Sequence, residues 1–297
     1  MLDLDGTIVH GGVEVFPRVR KALRQAADEG CKLVVCTGRP LGMVPRSVRR
    51  LGVMAYYLCA NGATVYDAKG AELLSRTMSN EDVRRMMDEV APLGPGWNVH
   101  SDGQSWIERT GVTYMVGGAR GIRSRIRKYF PRSPRQVRSL IRGVMHFAFG
   151  EQGKTIVPSI RPVIDSHERF EKVVCSFTTD EACEEAILRI EALGGFQVAR
   201  VWARELEITA AGVTKGTACD WLLDYLGEDK GRSVAFGDSM NDAPLIGHVG
   251  RFVAMGNASA ELKALCDEVC ASLTEDGVAL WLEEQMTEAH TSAGMSN

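Results

Sequence analysis

No run of 18 or more apolar residues occurs in these 297 residues, so the sequence offers no membrane-spanning helix. The short acidic start does not read as a basic-then-apolar leader. An excess of either charge is lacking too. Lys plus Arg number 35 against 38 Asp plus Glu, a formal charge of -3, so nothing global draws the chain to nucleic acid or an anionic membrane. The eight cysteines include no C-x-x-C pair, which argues against a zinc site or a disulfide framework and for reduced, packed thiols in a cytoplasm.

What the chain does have is three short apolar stretches, each running into a polar tip. They end in Asp3-Leu4-Asp5-Gly6-Thr7, in Thr37-Gly38-Arg39 after Leu33-Val34-Val35-Cys36, and in Gly237-Asp238-Ser239-Met240-Asn241-Asp242 after Val234-Ala235-Phe236. Ligands of an open parallel sheet bind outside the carboxyl ends of its strands, so these tips would converge.

Strand and helix signals alternate over 1–79 and again over 206–297. That order implies an α/β fold with a Rossmann-like, largely parallel sheet. Pro17 opens a helix that stops at Gly30, with Val19, Leu23 and Ala26 on one face. Strands are expected at Cys31–Cys36, Tyr56–Ala60 and Thr64–Tyr66, with a helical piece from Pro45 to Leu51. Character changes near Ser79, and 80–205 reads as an inserted α+β domain with helices at Asn80–Val90 and Asp180–Leu193. The small polar tail from His290 is expected to fray.

Asp3 and Asp5 are two apart on an extended strand and so would share a face, where two close carboxylates repel unless a cation intervenes. With Asp238 as a third oxygen donor, the set suits the octahedral habit of Mg²⁺. Hard oxygen ligands argue against zinc, and the apolar Ile8 and Val9 argue against a calcium loop. Thr37 and Gly38 at a strand-end turn suit phosphate oxygens. Lys215 falls in the first turn of a helix capped by Thr214, where a cation opposes the helix dipole at about 0.3–1 kcal/mol. An anion repays that cost, whether a phosphate, Asp238 or Asp242. Asn241 and Asp242 precede Pro244 and serve either as helix caps or as a phosphate donor and an anchor for Lys215.

Together with Gly212-Val213-Thr214-Lys215-Gly216, these tips resemble, in order, the four motifs of the haloacid dehalogenase superfamily. Asn61-Gly62-Ala63, Met255-Gly256-Asn257-Ala258 and Glu275-Asp276-Gly277-Val278 further resemble its Cof-type phosphatases, whose cap occupies the place of the insert. The resemblance implies that Asp3 is a nucleophile forming an aspartyl-phosphate and that Asp5 is general acid and then base. It further implies that Thr37, Gly38, Lys215 and Asn241 hold phosphoryl oxygens, with Asp3, the main chain of Asp5, and Asp238 on Mg²⁺. The expected function is a magnesium-dependent phosphatase of small phosphorylated metabolites, monomer or homodimer. A phosphomutase would share this chemistry, and a catalytically silent phospho-ligand sensor is the rival of another class.

Only Met1 and Leu2 precede Asp3, where the family places a buried strand, and the expectation is that the natural chain extends upstream. Within the insert, Trp97, His100, Trp106, Glu108 and Trp202 are the residues to follow, though most large aromatics belong to cores. Nine basic residues and no acidic one lie between Arg120 and Arg142. Three readings stand for that stretch: a solvated face, a clamp for a second anionic group on the substrate, or a dock for a polyanion.

Overall fold

The computed structural model describes residues 1–111, 153–202, 204–266 and 268–294, so the basic stretch 120–142 lies outside the described residues. Two β-systems organise them. The first is a sheet in two halves: β1 (Leu33–Cys36), β2 (Met54–Cys59), β3 (Thr64–Asp67) and β4 (Glu72–Ser75) on one side, β13 (Val234–Gly237), β14 (Arg251–Ala254) and β15 (Glu268–Val269) on the other. Pairing is parallel between β1 and β2 and through β13, β14 and β15, while β3 and β4 add an antiparallel edge.

The seam between the halves is the first three residues. Leu2 bridges in parallel to both Val35 and Phe236. Its N–H donates to Val34 O at 2.7 Å, its carbonyl accepts from Cys36 N at 2.8 Å, and Asp3 N donates to Phe236 O at 3.1 Å. The amino group of Met1 donates to Val234 O at 2.7 Å. Asp3 thus emerges at the carboxyl end of the sheet, level with the tips of β1 and β13.

Helix boundaries follow their caps. In α1 (Pro17–Asp28), Pro17 occupies the first turn and Val19, Ala22, Leu23 and Ala26 turn inward, the i, i+3, i+4, i+7 spacing of one face. Arg46–Arg49 forms the short α2. Ser79 caps α3 (Asn80–Val90) by accepting from Asp82 N. Next come α4 (Arg161–Ser166) and α5 (Asp180–Leu193), which Thr179 caps by accepting from Ala182 N. Thr214 caps α6 (Lys215–Leu226) in a reciprocal box with Thr217, and Gly227 ends it in the left-handed region, where glycine carries no Cβ penalty. After α7 (Ala260–Ala264), α8 (Gly277–Gly294) closes the described chain. Part of the tail expected to fray from His290 is helical, since α8 continues to Gly294, and the rest lies outside the described residues.

The second system is a six-stranded sheet in the order β11 (Phe196–Trp202), β12 (Glu205–Ala210), β10 (Lys172–Ser176), β6 (Gly96–Ser101), β7 (Gln104–Glu108), β8 (Lys154–Val157). One face carries Val99, Val173, Cys175, Leu206 and Ile208 into an apolar layer with Val83, Met86 and Met87 of α3 and Cys183, Ala186 and Ile190 of α5. Side chains alternate along a strand, so the intervening Asn98, His100, Lys172, Val174, Glu205 and Glu207 turn to the opposite face. The two-stranded pairing of β5 (Met78–Ser79) with β9 (Arg169–Phe170) stands where the chain passes between the two systems.

Candidate active site

The tips of the first sheet and the polar face of the second enclose a cleft of about 600 Å³. On its floor lie Asp3, Asp5, Thr37, Gly38, Asp238 and Asn241, and its opposite wall includes Asn98, His100, Lys172, Arg200, Glu205 and Glu207. Residues more than 200 positions apart in the chain meet here.

Lys215 lies buried beneath the floor, behind Asp3. Its side chain is wholly buried, and Nζ donates to Asp3 Oδ1 at 2.9 Å and to Asp242 Oδ1 at 2.6 Å. Burial pulls its pKa down, but the charges of Asp242 and Asp3 outweigh that and hold it well above the usual lysine range. Lys215 is therefore a fixed cation. Asp3 is pushed well above the usual carboxylate range by burial first, then by the neighbouring Asp242 and Asp238, against the opposing pull of Lys215. Carboxylate oxygens of Asp3, Asp238 and Asp242 lie within 4.8 Å of one another, a crowd that a divalent cation would relieve.

Asp242 has its own commitments. Besides Lys215 on Oδ1, its Oδ2 accepts from the N–H groups of Asp238 (3.0 Å) and Ser239 (3.2 Å), so it braces both the lysine and the loop after β13. Asp3 and Asp238 are left as the acids that fit a hard cation. Gly6 makes room for them. Its φ of +89° is open to glycine, and a Cβ there would stand 2.2 Å from Asp238 Oδ2.

The carboxylate of Asp5 is held by Arg39, whose Nε and Nη2 donate to its two oxygens at 2.7 Å each. That fork also donates to the carbonyls of Met43 and Gly12. Thr37 is buried, with its N–H committed to Leu58 O and its hydroxyl accepting from Arg39 N at 3.2 Å, which leaves the hydroxyl proton to donate. The Asn241 amide oxygen accepts from the Ser239 hydroxyl.

Four participants carry no assigned role in the sequence reading. Asn257 Nδ2 donates to Gly6 O at 2.8 Å and to Asp238 Oδ2 at 3.3 Å, tying the third acid to the first loop. Lys172 reaches from the second sheet to donate to Gly38 O at 2.6 Å and to pair with Glu207 at 2.5 Å. The other Glu207 oxygen accepts from Asn61 Nδ2 at 2.5 Å, and Asn61 itself stands in the left-handed region at φ 60°. Asn61 and Asn257 belong to segments quoted for resemblance, whereas alternation along β10 and β12 was the only signal for Lys172 and Glu207. Of the insert residues singled out, Trp97 joins the apolar layer and His100 faces the cleft. Trp106 packs against His167, and Glu108 accepts from Ile160 N and Thr110. The Trp202 side chain lies outside what is described.

The sequence pattern of the haloacid dehalogenase-like hydrolases matches residues 1–282. The chain belongs to this family. Among curated relatives of this hydrolase, the phosphatase YwpJ of Bacillus subtilis is 25% identical over 290 residues, covering 94% of this chain and 96% of that one. The 5-amino-6-(5-phospho-D-ribitylamino)uracil phosphatase YwtE of the same organism is 27% identical, covering 96% and 97%. In fold, the hydrolase is similar to a haloacid dehalogenase-like hydrolase from B. subtilis (TM-score 0.79, 23% identity, 95% and 97% of the chains). It is also similar to a subclass IIB sugar phosphatase of the superfamily (TM-score 0.72, 21% identity, 95% and 96%).

Proposed function

We propose that this hydrolase is a Mg²⁺-dependent phosphatase of small phosphorylated metabolites that works through an aspartyl-phosphate on Asp3, with residues 80–205 serving as its cap. One observation carries the reading: Asp3, Asp238 and the Thr37-Gly38 turn, remote in sequence, meet at the floor of one cleft, with Lys215 bonded to Asp3 from beneath. Crowded carboxylates beside a fixed ammonium suit the trigonal phosphoryl group in transfer, whose spreading charge needs cations around it.

A carboxylate oxygen of Asp3 attacks phosphorus, and the bond from phosphorus to the ester oxygen breaks as Asp5 gives that oxygen a proton. Asp5 then takes a proton from water as the water attacks the same phosphorus. Phosphate departs and the Asp3 carboxylate is restored. Lys215, the Thr37 hydroxyl, the Gly38 turn and the Asn241 amide hold the phosphoryl oxygens throughout. Asp3, Asp238 and the main-chain oxygen of Asp5 would hold Mg²⁺, which when bound neutralises charge on the transferring group. Arg39 holds both Asp5 oxygens, so its fork has to release one of them for either proton transfer. All eight cysteines are free thiols, which fits a reducing cytoplasm.

Phosphate release from a panel of phosphorylated metabolites, with Mg²⁺ and with EDTA, tests the reading. Release that needs Mg²⁺ and disappears in Asp3→Asn is expected. Undiminished release by Asp3→Asn, or formation of an isomeric phosphate ester in place of free phosphate, would overturn it.

A further inference from the structure

The cap wall contains a buried ring nitrogen that has no hydrogen-bond partner among the described residues. His100 is 4% exposed, it lines the cleft, and its Nδ1 has no hydrogen-bond partner. A buried polar atom left unpaired is costly, and native proteins seldom tolerate one without a role for it. Its place in the sheet shows what that role is.

Along β6, Asn98 and His100 face the cleft while Trp97 and Val99 enter the apolar layer. In the antiparallel pairing of β6 with β10, His100 stands opposite Lys172. Cβ atoms of directly opposed residues lie about 4.5–5.5 Å apart, so the imidazole is the neighbour of the lysine on the same face. Lys172 in turn touches Gly38 O, the turn assigned to phosphoryl oxygens, and is fixed there by Glu207. The histidine therefore stands one side chain beyond the phosphate turn, over the place where the esterified group must extend. Asn98 beside it is already committed, since its Oδ1 accepts from the Ser105 hydroxyl at 2.8 Å.

We propose that His100 is a specificity-determining residue, and that its ring nitrogen pairs with a hydroxyl or amide group on the leaving portion of the substrate. This rests on the phosphatase reading above and adds to it the residue that tells a polar leaving group from an apolar one. Burial, and then the charge of Lys172, hold the imidazole well below its usual range. It is thus neutral at working pH, with one nitrogen donating and the other accepting. A neutral ring is suited to a hydroxyl, which offers both.

The test compares kcat/KM for hydroxylated esters (glucose 6-phosphate, sorbitol 6-phosphate, ribitol 5-phosphate) with that for phenyl phosphate, whose leaving group has no polar atom beyond the ester oxygen. The ratio of the best hydroxylated ester to phenyl phosphate should fall about tenfold in His100→Leu, the scale of one lost hydrogen bond. It should recover in part in His100→Gln, which also serves should the leucine variant fail to fold. An unchanged ratio in both variants, with the wild type turning over, overturns this inference and leaves the phosphatase reading standing. A wild type that releases phosphate from none of these esters in Mg²⁺ overturns both.

Discussion

On the core side of the cleft, charged groups answer one another: Lys215 lies between Asp3 and Asp242, Arg39 grips Asp5, and Asn257 steadies Asp238. On the cap side, Lys172 and Glu207 are likewise paired, but the adjacent His100 is buried with a nitrogen unsatisfied. The floor is thus organised in advance for a group that never changes, the phosphoryl group, and such fixed dipoles and charges need no reorganisation during reaction. On the proposals above, the wall offers His100 to whatever is attached to that group, so that chemistry would lie in loop tips and choice of substrate in strand interiors.

The sharpest way to break this comparison is to remove Asp3, the proposed nucleophile. Asp3→Asn should lower Mg²⁺-dependent phosphate release by about 10⁴-fold or more, the scale of losing a covalent catalyst. It should not lower the melting temperature in EDTA, because burial and the neighbouring acids already disfavour the charged form of Asp3, and Lys215 keeps its bond to Asp242. A variant that unfolds would show Asp3 to be structural rather than poised. Next in size is Lys215→Met, which leaves Asp3 and Asp242 buried without their cation. Destabilisation of about 3–5 kcal/mol is expected in urea unfolding. Added Mg²⁺ should restore part of it by binding only the folded chain. Unchanged stability would mean that the floor is not held together by charge.

The floor was legible in the sequence for a physical reason. Its residues occupy strand ends and first helical turns, and those positions announce themselves locally, by an apolar run before them and by glycine, proline or a capping threonine beside them. Thr214 marks the start of α6 to the residue. The wall was not legible in the same way. Lys172 and Glu207 lie 35 residues apart and meet through the register of β10 on β12, where Val174 pairs with Glu207. Nothing local separates them from ordinary polar positions on an amphipathic strand. Asn257 was hidden similarly, since its hold on Asp238 and Gly6 depends on how the loop after β14 folds back. Arg39 was visible in its motif, but the fork on Asp5 is a property of the folded loop.

A third comparison lies along the seam between core and cap, away from the cleft. Glu171 Oε1 accepts from Gly103 N at 2.7 Å while Oε2 has no partner, and Gly103 O accepts from Gly42 N across the seam. Arg169 joins the same seam by pairing with Glu72 and Asp102. Burial first, then the Asp102 and Glu72 carboxylates, push Glu171 from 4.5 up to about 7 against the Gly103 hydrogen bond. A carboxyl raised in the folded state takes up its proton more readily there than when unfolded. Its contribution to stability is therefore fully present below pH 4.5 and lost as pH rises through about 7. At 1.36 kcal/mol per pH unit, the loss is at most about 3 kcal/mol. Glu171→Gln should remove that part of the slope, so that melting temperatures at pH 5 and pH 8 draw closer than in the wild type. An equal or steeper slope in the variant would assign the pH dependence elsewhere.

The smallest expected effect tests whether the paired part of the wall is as firmly built as the floor. Lys172 and Glu207 have side chains only 3% and 13% exposed, and each has a second partner in the core: Gly38 O for the lysine and Asn61 for the glutamate. Removing either alone leaves the other charge buried without its ion-pair partner, so the costs of Lys172→Met and Glu207→Gln should sum to more than the cost of the double variant. A coupling energy of about 1–2 kcal/mol in a double-mutant cycle of urea unfolding is expected, within the range for contacting residues in one network. The same cycle read in kcat/KM should show coupling as well, because Lys172 rests on Gly38, in the turn proposed to hold phosphate. Coupling in stability without coupling in kcat/KM would make the pair a cap-to-core tie alone, and the wall's influence on turnover would then fall to His100 and its neighbours.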